Sequence, residues 1–427
     1  MSRLTRRVYD FVGARDEFAR YAPLACLRGF PRPRVSAIIA AQLLPTSRSH
    51  LYSNLGRIVM VPNCNSRTLK FEQVENRLCP AVLVDLGSNG DLAVSGDTAG
   101  IVAITAIDSD SYQVTEGGAL VATVDGVSRG IRVDLGASSD SVTIDLAGQT
   151  VNGTVQINLG GGDNSLTLMH GTINGHLVIQ GGVGIDTIAA QNDISVRKNT
   201  QIDLGDGDNV ATVSGRHFGQ LTVQTNTGND VVTIDADADV AKHAKIRLGG
   251  GDNTFSTEGN FARHLFYDGF EGNDTVTILA HALVAWQAKI NLGDGINTFT
   301  LEGRINRDLM LYAGNGVDTI NVLSNARIMR DVHLKLGDGD NICTFEGDVK
   351  RSLQIQTGAG IDAVDIASSA RVSRDAKVDL GGGNDGLIFA GRIGRNFNVN
   401  GGDGTDTFTD AGGTAKTLQL NSIEVMV

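Results

Sequence analysis

The sequence predicts an all-β fold: a parallel β-helix (β-solenoid) with coils of about 22 residues, preceded by an irregular segment over residues 1–80. Three observations carry that expectation. One short pattern recurs through most of the chain after residue 130, and apolar and polar residues alternate inside it. All six prolines lie before residue 81, whereas 51 of the 54 glycines lie after it.

The pattern reads INLGGGDNSLTL from Ile157, IDLGDGDNVATV from Ile202, IRLGGGDNTFST from Ile246, INLGDGINTFTL from Ile290, LKLGDGDNICTF from Leu334 and VDLGGGNDGLIF from Val378. A sister set lies between these, for example IQGGVGIDTIAA from Ile179, LYAGNGVDTINV from Leu311 and VNGGDGTDTFTD from Val399. FYDGFEGNDTVTI from Phe266 joins it with one inserted residue, and VDLGASSDSVTI from Val133 is an earlier, degenerate copy. The unit is thus 20 to 24 residues, paired into a 44-residue repeat.

With the first residue of each copy as position 0, positions 0, 9 and 11 are mostly apolar and position 10 mostly polar, as in Ile157, Leu166, Thr167 and Leu168. Period-two alternation marks a strand with one buried face. Gly-x-Gly at positions 3 to 5 permits a sharp corner. One such unit cannot stand alone. Its three or four buried side chains contribute roughly 6 to 12 kcal/mol, against about 20 to 40 kcal/mol for ordering some 22 residues. Stacked neighbours supply the difference, and proline, which would break their backbone ladders, is absent.

The expected organisation is therefore an irregular Arg- and Pro-containing export or sorting segment (1–80), degenerate first β coils (81–156) and regular repeats (157–427). Val35 to Leu44, preceded by Arg28, Arg32 and Arg34, has the basic-then-apolar order of an export signal, and reads equally as a short amphipathic helix or an untranslated extension. Cys343, at position 9, is expected to be a buried apolar filler. The histidines of the rod sit at differing positions, which favours solvated or return-segment roles; Trp286 has no assignable one. Composition excludes a collagen, a disulfide scaffold and a spanning helix. Residues 81–427 carry 23 basic and 43 acidic side chains, a balance of −20, which repels nucleic acid and anionic membranes and suits cations.

Position 7 concentrates the chemistry. It holds Asn164, Asp186, Asn209, Asp230, Asn253 and Asp274, then Asn297, Asp318, Asn341, Asp362, Asp385 and Asp406. In a stack these would form one line about 4.8 Å apart, and a neutral Asn between two acids keeps like charges about 10 Å apart. Further acids, among them Asp208 and Asp340, occupy position 6.

Gly181 to Ala189 (GGVGIDTIA) and Gly401 to Thr409 (GGDGTDTFT) resemble the hemolysin-type (RTX) calcium-binding nonapeptide, and Ala313 to Asn321 and Thr357 to Asp365 lack only its first Gly. The resemblance implies Ca²⁺ held by corner carbonyls and by Asp186 and Asp406 first, then Asp318, Asp362 and Asp385. Asp230 and Asp274 at the same position, and Asp208 and Asp340 beside it, complete the candidate ligand set. Unlike the family, this chain has one motif per coil and Asn in alternate copies, so partial or weak sites are expected. A purely structural Asn/Asp ladder that binds nothing stands beside that reading. Upstream, Val74 to Leu78 (VENRL) resembles a degenerate Leu-Glu-Pro-Arg-type sorting motif of bacterial surface proteins.

Together these imply a secreted or cell-surface protein with a structural or adhesive role. Its partners would be extracellular matrix, a polysaccharide or another cell-surface ligand, with no nucleic acid and no transmembrane span. The alternative is a carbohydrate-active β-helix enzyme, a polysaccharide lyase or hydrolase, whose site should interrupt the repeat with a cleft.

Overall fold

The computed structural model describes residues 81–427 except Asn192, together with two short strands, Arg57–Ile58 and Phe71–Glu72, that pair antiparallel. The export-like stretch and the sorting motif otherwise lie outside the described residues.

From Ile131 onward the chain winds as a parallel β-solenoid of about thirteen coils. One coil shows the plan. Leu221–Gln224 belongs to a first long sheet, the glycine corner follows, and Val231–Ile234 belongs to a second. A turn then leads to the two-residue strand Asp239–Val240 of a shorter third sheet, and a last corner returns the chain to Ala244–Arg247 in the first. Each strand pairs in parallel with its counterparts one coil away, as Val223 does with Ile202 and Ile246.

That register gives coils of 24, 22 and 23 residues at the start and, from Ile202 on, a regular alternation of 21 and 23 about the expected mean of 22. The two extra residues sit in the turn between the second and third sheets. Short coils cross there on a Gly, such as Gly215 or Gly303; long coils use a four-residue turn closed by a buried alanine. In these, the Ala238 N–H donates to the Asp235 carbonyl (3.2 Å) and the Ala282 N–H to the Leu279 carbonyl (3.0 Å). The same register removes the insertion expected near Phe270. Tyr267, not Phe266, pairs with Ile246 and Ile290, so that copy begins one residue later and is of normal length. The aromatic ring at position 0 disguised the start, because Phe266 and Tyr267 look alike in sequence but only Tyr267 is buried.

The interior is a column of apolar side chains from all three sheets. Positions 0, 9 and 11 are buried as expected; Ile290, Phe299 and Leu301 are each 0 % exposed. Cys343 fills position 9 of its coil, fully buried, and the loss of solvent pushes its thiol up to about 12. Aromatic rings meet between coils, Phe255 stacked on Tyr267 (5.5 Å) and Phe389 tilted against Phe397 (4.7 Å).

Residues 82–124 depart from the expectation of degenerate coils. Val82–Leu86 and Leu92–Gly96 form an antiparallel hairpin, and Ile101–Ala106, Tyr112–Glu116 and Ala119–Val124 an antiparallel meander. Each lies on the first coil by one parallel pairing, Leu92 with Ile131 and Ile101 with Ser141. Hairpins carry the alternation that a coil strand carries, so sequence does not separate them. Their effect is physical: they cover the edges that the first coil would otherwise present in the first and second sheets, while Thr150–Val151 begins the third. Among the described residues no helix is long and apolar enough to cross a membrane.

Candidate functional site at the glycine corner

The glycine corner repeats in every coil because two of its residues hold backbone angles that a side chain resists. In the copy from Ile290, Gly293 (φ 82°) and Gly295 (φ 137°) pass close under the carbonyls of Phe270 and Gly272 in the preceding coil, leaving no room for a Cβ, and Gly339 (φ 124°) sits likewise under Gly316. Where the chain turns this sharply, the amides of positions 6 and 7 lose their carbonyl partners in the neighbouring coil. Side chains replace those partners.

At position 7 the side-chain oxygen accepts the backbone N–H of the same position one coil earlier. Asn297 Oδ1 takes the Asp274 N–H (2.8 Å), Asp318 Oδ1 the Asn297 N–H (2.9 Å) and Asn341 Oδ1 the Asp318 N–H (3.0 Å). The column runs unbroken from Asp140, through Asp186, Asp230 and Asp362, to Asp385 and Asp406. Glu424 closes it, accepting the Asp406 N–H (2.9 Å). Every position-7 side chain from Asp140 to Asp406 is buried. At position 6 an exposed column runs the other way. Asp208 Oδ1 accepts the Asn229 N–H of the next coil (2.8 Å), Asn229 Oδ1 the Asp252 N–H (2.8 Å), and Asp340 Oδ1 the Ile361 N–H (2.7 Å). The corner is therefore clamped twice, in opposite directions.

Asn and Asp do different work in the buried column. Asn donates its Nδ2 to glycine carbonyls of its own corner, as Asn341 does to Gly339 (2.8 Å) and Gly337 (3.2 Å). Asp has no such donor, and its second oxygen turns instead toward position 2. Leu fills position 2 in the Asn coils (Leu204, Leu248, Leu292, Leu336), whereas Gly181, Gly269, Ala313 and Gly401 leave room beside Asp186, Asp274, Asp318 and Asp406. Tyr267 donates its hydroxyl to Asp274 Oδ2 (2.9 Å), and the Gly182 N–H donates to Asp186 Oδ2 (3.1 Å). The second oxygens of Asp318, Asp385 and Asp406 are buried without a hydrogen-bond partner. Burial pushes Asp140, Asp274, Asp318 and Asp385 up to about 6, with added repulsion from Asp97, Asp252, Asp294, and the pair Asp362 and Asp406, respectively. Burial raises Asp186, Asp230 and Asp362 in the same direction.

The structure thus brings seven of the nine candidate calcium ligands (Asp186, Asp230, Asp274, Asp318, Asp362, Asp385, Asp406) into one buried column and places Asp208 and Asp340 on the exposed one. Calcium takes six to eight oxygens. Here one oxygen of each of these seven acids is already spent on a backbone N–H; only Asp140, at the head of the column, has both oxygens buried without a partner. Corner carbonyls are spent too: Asn315 accepts the Gly295 N–H (2.8 Å) and Ala359 the Gly339 N–H (2.7 Å). One carboxylate oxygen per Asp coil does not make a calcium shell, and the buried column as arranged fits protons and amides better than a metal. Among the described residues no three His, Cys, Asp or Glu side chains are grouped to hold a metal ion.

Other titratable groups lie apart. His217, expected in a solvated or return-segment role, is fully buried in the return segment, bonded to Thr200 Oγ1 (2.8 Å) and the Ser214 carbonyl (3.1 Å), and burial lowers it to about 4. His170 bridges Asp145 (2.9 Å) and Asp193 (3.3 Å) at the surface, and its hydrogen bond to Asp145 raises it above its usual value. Sequence reasoning missed the coupling of position 2 to position 7 and the closing role of Glu424. The first was legible as Leu with Asn and a small residue with Asp; Asp385 beside Leu380 is the exception. The second was not, because Glu424 lies outside the repeat. No protein-family model matches this chain, and neither does any curated protein or solved structure.

Proposed function

We propose that the protein is a secreted or cell-surface scaffold, a rod that presents repeated side chains to extracellular partners in a structural or adhesive role. The observation that carries this is the unbroken translation of one coil from Ile131 to Asn400, in which the corner acids are consumed as hydrogen-bond acceptors. A polysaccharide lyase or hydrolase calls for acids or bases converging in a groove. One hollow of the described surface, around His170 and Asp193, is open to solvent, and another, between Asn89 and Arg129, lies where the hairpin of residues 82–96 meets the first coil rather than in an interruption of the repeat. Fractionating cells that make the protein, with a protease-protection assay on intact cells, tests the reading. Protection of the rod inside the cell would refute it.

Calcium enters this reading as a surface counter-ion. The exposed pairs Asp206 with Asp208, and Asp338 with Asp340, each keep a carboxylate oxygen beyond the one that accepts a backbone N–H. Millimolar Ca²⁺ at pH 7.5 is then expected to raise the melting temperature by a few degrees at most, roughly 1 kcal/mol. The Asp338→Asn/Asp340→Asn variant should lose part of that gain. An unchanged curve with and without chelator removes calcium from the reading and leaves the scaffold.

A further inference from the structure

The edge where the third sheet returns to the first carries a charge opposite to that of the rod as a whole. The backbone N–H of Arg330 donates to the Arg307 carbonyl (3.1 Å), that of Arg351 to Arg330 (3.1 Å), that of Arg374 to Arg351 (3.0 Å) and that of Arg395 to Arg374 (3.0 Å). Five arginines therefore stand in five consecutive coils, about 4.8 Å apart, and Lys416 continues the line (2.9 Å). Beside it, on the third sheet, Arg304, Arg327, Arg371 and Arg392 form a second line, broken only by Asp348. The sequence carries this as RINRD, RIMRD, DVKRS, RVSRD and RIGRN, from Arg304, Arg327, Asp348, Arg371 and Arg392. These segments hold ten Lys or Arg and four Asp, within a rod whose balance is −20.

We propose that this edge binds a linear acidic polysaccharide, a sugar chain bearing carboxylate or sulfate groups, laid along the rod axis. The proposal rests on the scaffold reading for the rod's access to extracellular glycans. Asp308 and Asp331 engage Arg330 (3.7 Å) and Arg351 (3.3 Å). Arg327, Arg371, Arg374, Arg392 and Arg395 are exposed and form no ion pair among the described residues. Like charges at one-coil spacing repel, and an anionic polymer that runs along them relieves that repulsion and releases its own counter-ions. Arginine, which dominates both lines, presents a planar fork that pairs with carboxylate or sulfate oxygens two at a time. At the near end of the column Trp286 takes the place of a cation, with the Arg307 and Arg263 guanidiniums 4.6 and 5.7 Å from its ring centre, which orients both.

The partner must be thin. Screening acts over about 8 Å in physiological salt, so a single polymer chain on the edge stays clear of the acidic faces, whereas a duplex or a second rod would bring its whole charge against them. The five segments contain no aromatic residue, and Trp286, the single ring at the near end of the line, has the Arg263 and Arg307 guanidiniums near its ring. The arginine lines therefore offer no run of rings on which successive bases of a single-stranded nucleic acid could stack. Both arguments favour a sugar chain.

The test is binding of the full chain to polygalacturonate and to heparin, with poly-dT and neutral dextran alongside, at low and at physiological salt. Tight binding to one of the two acidic glycans that weakens steeply with salt is expected, and the preferred glycan tells carboxylate from sulfate recognition. The variant Arg371→Gln/Arg374→Gln/Arg392→Gln/Arg395→Gln should bind about tenfold more weakly or worse, the sum expected of four exposed ion pairs. Lys245→Gln/Arg247→Gln, on the first sheet far along the rod, should stay within about twofold. If the fourfold variant fails to fold, Arg374→Gln/Arg395→Gln should still show a loss of about threefold. Absence of binding to either glycan, binding untouched by these variants, or poly-dT bound as tightly as the better glycan would each overturn the proposal. Self-association that the same variant abolishes, without glycan binding, would overturn it in favour of a second copy. Because location is read separately by fractionation, a rod found outside the cell that ignores acidic glycans sinks this proposal and leaves the scaffold standing.

Discussion

The glycine corner and the arginine edge run along the same rod and repeat with the same one-coil translation, yet they handle charge in opposite ways. At the corner the column of Asn and Asp is buried and each side chain bonds the coil before it. At the edge the arginines face water, and most have no ion-pair partner among the described residues. A stack multiplies whatever a single coil contains. A buried acid becomes a buried column of acids, tolerable because its oxygens replace missing acceptors and because Asn separates the charges as far as Asp362. Beyond it Asp385 and Asp406 follow directly, and repulsion adds to burial in raising Asp385. An exposed cation becomes a line of cations, which costs the fold little and attracts a partner.

Substitutions should sort the two regions by their cost to stability. The largest loss is expected from Gly339→Val, because its left-handed φ of 124° and the Gly316 carbonyl leave no room for a side chain. Denaturant melts should show a loss of about 3 kcal/mol, and hydrogen exchange should place the loosening in the coils on either side. Next come Asn297→Ala and Asp318→Ala, which strand the buried N–H groups of Asp274 and Asn297 respectively. Each should cost about 1 to 3 kcal/mol. Asn297→Ala should be the worse, since it also frees the Gly293 carbonyl (3.2 Å) and the Gly295 carbonyl (3.4 Å).

A gentler probe of the same contrast is pH. The corner carboxyls of Asp140, Asp274, Asp318 and Asp385 stand near 6 in the folded chain against 3.8 when unfolded. A raised folded value means that the folded state binds the proton more tightly. Their contribution is therefore complete below 3.8 and is lost as pH rises through about 6. His217, lowered from 6.5 to about 4, acts in the other sense: its contribution is present above 6.5 and lost as pH falls toward 4. Burial lowers His243 and His264 in the same sense as His217, but the seven raised corner acids outnumber these three histidines, so the rod should melt at a higher temperature at pH 5.5 than at pH 7.5. The Asp274→Asn/Asp318→Asn variant should flatten that slope; an unaltered slope would show that these carboxyls do not titrate as their burial requires. The smallest effect is expected at the edge, where Arg374→Gln/Arg395→Gln should leave stability within about 0.5 kcal/mol. A large loss there would show the arginines to be part of the clamp after all.

Much of this was readable in the chain itself. Ile157, Leu166 and Leu168, repeated with a mean spacing near 22, are enough to require stacked coils, because no single copy buries enough to order itself. The alternation of Asn297, Asp318 and Asn341 announced a column, and its spacing of charges was correct in kind. Other features were hidden for identifiable reasons. Phe266 and Tyr267 are interchangeable in composition, so only pairing with Ile246 settles which one lies inside. The hairpins of residues 82–124 share the period-two pattern of coils, and strand direction leaves no mark in that pattern.

What the amino-acid order determined alone was the existence, period and buried face of the coil, because these follow from local alternation and from the energy one unit lacks. Tertiary structure decided the coil's alternation between 21 and 23 residues, the direction in which each Asn and Asp bonds, and the gathering of Arg307, Arg330, Arg351, Arg374 and Arg395 into one line. Those features depend on which residues, more than twenty positions apart, come to lie one strand spacing from each other, and that is a property of the stack rather than of any segment within it.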